Sequence, residues 1–336
     1  MNLANCLKQM ISRKTAMKKI NFVVHIPKTA GTSFRSVLQK HKSVRMLYDY
    51  GKESPESTPG LVGVTPTELA PESEIFDADK FNFICGHVPY EKYLRCVPPD
   101  AVVSIVRNPV ERVVSEYQHL RRHEGCHRSF ADFSSDPLQQ NKQWKMLRGL
   151  DRKTGALIGL TSHYKYFVEA FVDRLGLPIE PVAKNKAPDS DAESRANIPP
   201  GEIKSAFLNN KRDMDFFFEQ VRIFSELVKD AGYNTVPTED TNWNCLLAGR
   251  KKIVGWISCA ATDCYFVTIG VNGERRAVIS LDQNRDDIYD MGLSDNPLCG
   301  FSYPLALIGA EKGDRVTVGV FGAPEFARTL NIDWEQ

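Results

Sequence analysis

The chain has 336 residues, 42% of them hydrophobic and 25% charged, an ordinary globular composition with room for one large domain or two moderate ones. Its 43 Lys plus Arg against 42 Asp plus Glu leave no overall charge bias toward nucleic acid or membrane, so any anion site has to be local. No stretch approaches the ~20 apolar residues of a bilayer span, and the 8 cysteines form no CxxC pair or zinc-ribbon spacing, which reads as free thiols in a reducing cytosol.

Residues 1–19 lack an apolar core of signal-peptide length and carry Lys8, Arg13, Lys14, Lys18 and Lys19. They read as a flexible, solvated leader, with weak contact to an anionic membrane surface as a second use. Residues 21–26 (NFVVHI) form a short, β-branched apolar run stopped by Pro27, which predicts a buried strand. After the loop Lys28-Thr29-Ala30-Gly31-Thr32-Ser33, the i, i+3, i+4 spacing of Phe34, Val37 and Leu38 predicts a helix. Residues 51–74 are rich in Pro, Ser, Glu and Gly and read as a surface loop. Strands follow at 80–85 and 101–106, and Asn108-Pro109 reads as the N-cap and first residue of a helix running to about Arg122. Further helices fit 136–149, 163–175 and 213–231. This alternation predicts an α/β domain over 20–236, with a mainly parallel sheet flanked by helices. Near Pro237–Asn244 the texture turns to β runs, with a hairpin signal at Asn272-Gly273. A boundary near 240 and a C-terminal antiparallel β-sandwich domain over 245–336 are therefore expected, each part with its own core.

A bound phosphate needs backbone N–H groups, a helix N-terminus and a cation close together. The loop after the first strand supplies small residues at Ala30 and Gly31, hydroxyls at Thr32 and Ser33, and a charge at Lys28. In a Walker loop the Lys follows the last Gly; here Lys28 precedes Gly31, which argues against an ordinary nucleotide kinase. In SIVRNPVERVVSEY, Arg107 ends a strand and Ser115 lies two turns into the next helix, where a guanidinium and a hydroxyl can grip a second phosphate. Arg112 has an alternative use, a surface ion pair with Glu116 at i+4.

At these two motifs the chain resembles the sulfotransferase superfamily, most nearly the carbohydrate branch with the heparan sulfate 2-O- and 6-O-sulfotransferases and their bacterial relatives. HIPKTAGTSF is similar to the family's 5′-phosphosulfate loop, and IVRNPVERVVSEYQHL to its 3′-phosphate strand and helix. The resemblance extends over residues 20–232, through 141–150, 156–167, the Asn185 region and 209–217. The family usually has Gly-Gly at Ala30-Gly31 and often Arg-Asp-Pro at Arg107-Asn108-Pro109. It implies a P-loop-like fold and a transferase that uses 3′-phosphoadenosine-5′-phosphosulfate (PAPS) as donor co-substrate, with no metal. Lys28 would act on the bridging oxygen, and Thr29, Ala30, Gly31, Thr32 and Ser33 would hold the 5′-phosphate. Arg107 and Ser115 would hold the 3′-phosphate. His87, in a Gly-His-Val segment like that of the 2-O-sulfotransferases, would be the base.

His25 lies inside the first strand and reads as structural, bonding a neighbouring loop. His119 and His123 stand at i, i+4, but Arg121, Arg122 and Arg128 oppose a cation there, so the run reads as a solvated helix end, with an acceptor groove as its second use. Trp256, Tyr265, Tyr289 and Tyr303 of the β part read mainly as core. The expected partner is a carbohydrate or other hydroxyl acceptor, not nucleic acid, for a cytoplasmic two-domain enzyme. Two rivals remain: a nucleotide-dependent phosphotransferase, which needs Mg²⁺ ligands, and a non-catalytic glycan-binding protein on the same scaffold.

Overall fold

The first apolar run forms β1 (Asn21–Val24), which pairs in parallel with a strand on each side. In the computed structural model, which describes residues 20–69, 77, 79–150, 154–180 and 198–333, β1 is followed by α1 (Gly31–Gln39) and β2 (Met46–Asp49). Then come β3 (Phe83–Gly86), β4 (Val102–Val106), α2 (Pro109–His123), α3 (Phe130–Ser135), α4 (Lys142–Leu147) and β5 (Leu157–Leu160). Helices α5 (Tyr164–Leu175), α6 (Pro200–Asn209) and α7 (Lys211–Asp230) complete the α/β part. The five strands pair in parallel in the order β2-β3-β1-β4-β5, with β3, β4 and β5 buried throughout. Helices cover the sheet; α1, for example, turns Phe34, Val37 and Leu38 inward, with Phe34 edge-on to Phe167 and Phe171 of α5.

That order carries a consequence for function. The chain leaves β1 for the outer strand β2, returns to β3 beside β1, then crosses to β4 on the other side. The switch point, where α/β sheets open a crevice at their carboxyl edge, lies between β1 and β4.

Asn108 caps α2 as expected, its side chain accepting from the N–H groups of Val110 and Glu111. Of the helix predicted at 136–149 only α4 (Lys142–Leu147) forms, and α3 ends before that range at Ser135. The chain is extended at Asp136 and left-handed at Asn141 (φ 52°), so helical hydrogen bonding cannot run through. Strands β2 and β5 and helix α6 were not anticipated as elements. The basic leader and the Asn185 region lie outside the described residues.

The C-terminal part forms two antiparallel sheets. One holds β6 (Trp243–Ala248), β7 (Lys252–Ile257) and β10 (Gly300–Pro304); the other holds β8 (Val267–Val271), β9 (Glu274–Ile279), β11 (Arg315–Val320) and β12 (Ala323–Asn331). Asn272 (φ 52°) and Gly273 (φ 85°) make the β8–β9 turn.

Texture changes between α7 and β6, but packing crosses that point. Val110, Val113, Val114 and Tyr117 of α2, with Phe207 and Met214, share one apolar cluster with Ile253, Ile269, Phe301 and Val318 of the β part. Phe266 and Val278 in turn join the cluster beneath the parallel sheet. The seven described cysteines are free thiols. Among the described residues no helix is long and apolar enough to cross a membrane.

Candidate active site at the carboxyl edge of the parallel sheet

All five strands run the same way, so the loops after β1, β3, β4 and β5 emerge on one edge, with the β1 loop between those after β3 and β4. Lys28 and Ala30 both have φ 68°. Non-glycine residues pay about 1–2 kcal/mol for the left-handed region, and strain of this kind collects where backbone groups are aimed at a ligand. Ala30 is the N-cap of α1 and makes no side-chain cap hydrogen bond. Gly31 is required for a reason outside the loop. A Cβ on it would stand 2.0 Å from Cδ2 of His25, whose ring fills the space below. Thr32 is exposed and Ser33 buried. Thr29 is buried and its hydroxyl donates to the Ile26 carbonyl at 2.9 Å, so its proton serves the loop, and only its backbone is left for a ligand.

Arg107 ends β4 on the other side of the switch point. Its Nη1 donates to the Lys28 carbonyl at 3.4 Å and its Nε to Oε2 of Glu111 at 3.0 Å, joining the two motifs. The backbone of Arg107 is held by Gln143, whose amide accepts from the Arg107 N–H and donates to its carbonyl, both at 2.8 Å. Gln143 is itself placed by Asp213, a buried carboxylate accepting from the N–H groups of Gln143 and Trp144 at the start of α4. Sequence reasoning gave these two residues no role, although both lie in segments that carry the family resemblance. Ser115 sits half-buried on α2, on the helix that Arg107 introduces.

His87 follows β3 through Gly86, where a Cβ would stand 2.0 Å from the Asp49 carbonyl oxygen. Its Nδ1 lies 2.5 Å from the His25 carbonyl oxygen. A carbonyl only accepts, so Nδ1 carries the proton and Nε2 keeps its lone pair, the tautomer of a base. The ring packs on His25 (centroids 4.4 Å) and edge-on to Tyr50 (4.7 Å). His87 is exposed overall, yet lost hydration on that inner side holds its pKa below the ordinary value, against the opposing pull of the His25 carbonyl and Glu116. Its imidazole is thus neutral at neutral pH.

His25 lies just past β1, and its Nδ1 meets the Tyr50 hydroxyl at 3.0 Å, the neighbouring loop that the sequence suggested. Arg112 is not at the surface. It is fully buried, paired with Glu116, and donates to the Gln139 carbonyl at 2.8 Å; Lys142 binds the other Glu116 oxygen at 2.8 Å. The expected i+4 pair exists, but as part of a buried triad beside the site. His119 has its pKa lowered by partial burial and then by the charge of Lys28. In the β part, Tyr265 and Tyr303 are buried and Tyr289 is exposed.

Burial lowers His25 and His163 each to about 3. Both stay neutral in the folded chain while the unfolded chain takes up protons near pH 6.5. Their contribution to stability is therefore complete above pH 6.5 and drains as pH falls toward about 3. Each should cost about 1.4 kcal/mol per pH unit inside that window. Urea unfolding at pH 6.5 and 5 should show the loss, and His163→Phe, which keeps a ring to stack on Phe266 (4.1 Å), should remove one share of it. An unchanged slope in that variant would contradict the assignment.

No protein-family model matches the sequence, and no curated protein matches it. Among solved structures, the chain is similar to a sulfotransferase from Alicyclobacillus acidocaldarius at 16% identity and TM-score 0.34, over 56% of this chain and 95% of that one. It is also similar to mouse sulfotransferase SULT7A1 complexed with PAP, at 16% identity and TM-score 0.30, over 59% of this chain and 73% of that one.

Proposed function

We propose that the chain is a PAPS-dependent sulfotransferase acting on a hydroxyl, with a carbohydrate as acceptor. The observation that carries the reading is the meeting of two anion-binding motifs at the switch point, where Arg107 of the second donates to the Lys28 carbonyl of the first. PAPS presents two separated phosphate groups, and the reading assigns them two separated grips: the start of α1 with Lys28, and Arg107 with Ser115. The carbohydrate acceptor rests on the resemblance of the two sequence motifs.

In the reaction, the acceptor oxygen attacks sulfur and its proton passes to Nε2 of His87. The bond from sulfur to the bridging oxygen breaks, and 3′,5′-diphosphoadenosine leaves with its new charge beside Lys28. Catalysis is by positioning and by fixed donors aimed at the charge that develops.

Transfer of labelled sulfate from PAPS onto a panel of glycans, in excess chelator, tests the reading directly. Nucleotide binding tests the grips. The wild type should prefer 3′,5′-diphosphoadenosine to adenosine 5′-monophosphate, and Arg107→Ala should erase most of that preference. A charged hydrogen bond contributes about 1.5–3 kcal/mol, roughly 10- to 150-fold in affinity. Equal wild-type affinity for the two nucleotides would remove the 3′-phosphate assignment.

A further inference from the structure

The second motif is tied to the C-terminal β part at two points. Asn108 uses both ends of its amide. Oδ1 caps α2, accepting from Val110 at 3.0 Å and Glu111 at 3.3 Å, while Nδ2 donates to the Arg276 carbonyl of β9 at 2.7 Å. An aspartate would cap equally well but would set a bare oxygen against that carbonyl. Asn in place of the family's usual Asp is what this contact requires. Glu111 is the second tie: Oε2 accepts from Nε of Arg107 at 3.0 Å, and Oε1 accepts from the Tyr303 hydroxyl of β10 at 2.9 Å. The relay thus runs from the β part through a carboxylate to the guanidinium proposed for the 3′-phosphate.

A cavity of about 280 Å³ opens at this junction. One wall comes from the carboxyl ends of β4 and β5, with Arg107, Glu111 and Thr161; the facing wall is Ser280, Asp282 and Tyr303 of the β part. Arg107, which lines it, also donates to the Lys28 carbonyl of the β1 loop, so the cavity adjoins the first motif through that side chain. The polar rim suits a nucleoside, whose ribose and base offer both donors and acceptors.

We infer that the C-terminal β part builds the second wall of the donor-nucleotide pocket, and that Tyr303 is a positioning residue which sets the plane of Arg107 through Glu111. This rests on the reading of Arg107 as the 3′-phosphate grip. The β part is then a component of the donor site itself. A tyrosine whose hydroxyl were merely satisfied would affect stability without affecting which nucleotide is preferred.

Tyr303→Phe keeps the ring and removes one hydroxyl. Calorimetric titration of the full chain with 3′,5′-diphosphoadenosine and with adenosine 5′-monophosphate reads the effect. The variant should lose about 3- to 10-fold of the wild-type preference for the diphosphate, with affinity for the monophosphate unchanged. Asn108→Asp, which keeps the cap, should shift the preference the same way. Ser280→Phe, on the facing wall, should weaken both nucleotides at least tenfold with the melting temperature held. If the wild type shows no preference, the 3′-phosphate reading fails and the inference falls with it. If the wild type shows it and Tyr303→Phe and Asn108→Asp keep it in full, the positioning role is overturned while the proposed function stands. Unaltered binding in folded Ser280→Phe overturns the shared pocket.

Discussion

Replacing Lys28 with Ala is expected to lower turnover by about 10³-fold, the size of effect seen when a fixed donor to developing charge is removed. Affinity for 3′,5′-diphosphoadenosine should fall less than tenfold. The asymmetry follows from the proposed role: charge on the leaving phosphate grows as the bridging bond breaks, so the lysine is worth most in the transition state. Loop geometry should survive, since Arg107 is bonded to the carbonyl of residue 28, not to its side chain. Single-turnover rates and nucleotide titrations of the same preparation separate the two quantities. Near-normal turnover in Lys28→Ala would sink the assignment of the loop.

Cutting the chain after residue 240 is expected to abolish folding. The division into 20–236 and 245–336 describes a change in texture, and our proposal is that the two parts fold as one unit. Phe266 is fully buried and Val278 nearly so within the cluster under the parallel sheet, and α2 and α6 face the antiparallel sheets through a common cluster. The Arg276 guanidinium lies 3.8 Å over the Phe207 ring, closing the same junction. Losing a buried Phe alone costs about 3–5 kcal/mol, and a domain's whole margin is about 5–15 kcal/mol. Residues 1–240 should therefore be insoluble or bind hydrophobic dye without a cooperative melt. Phe266→Ala in the full chain, expected to lose about 3–5 kcal/mol by urea unfolding, examines the same packing in a milder way. A soluble, cooperatively melting 1–240 that binds donor nucleotide would restore two separable domains.

Local signals were enough for the elements that hold the candidate site. The apolar run of β1, the small-residue loop and the spacing of Phe34, Val37 and Leu38 located the first candidate anion grip, because strand and helix periods are written within a few residues. Asn108-Pro109 marked the start of α2 for the same reason, and Asn272-Gly273 marked the β8–β9 turn. That the helix predicted at 136–149 begins only at Lys142 was hidden. Asn141 takes its left-handed turn where its N–H meets Asn210 Oδ1 at 2.9 Å, a contact 69 residues away.

The sequence by itself determined β1, α1, β3, β4 and α2 in their order, the candidate identities of Lys28, His87, Arg107 and Ser115, and the absence of a Walker order. Only the tertiary structure decided which of them meet and what supports them. Strand order placed the β1 loop between His87 and Arg107. Gln143, 36 residues from Arg107, holds its backbone, and the His25 carbonyl, 62 residues from His87, sets its tautomer. Tyr303 reaches Glu111 across 192 residues. Periodicity and caps report on neighbours along the chain. A side-chain hydrogen bond to a distant backbone leaves no period and no local composition behind, so it becomes visible only when packing has brought its two ends together.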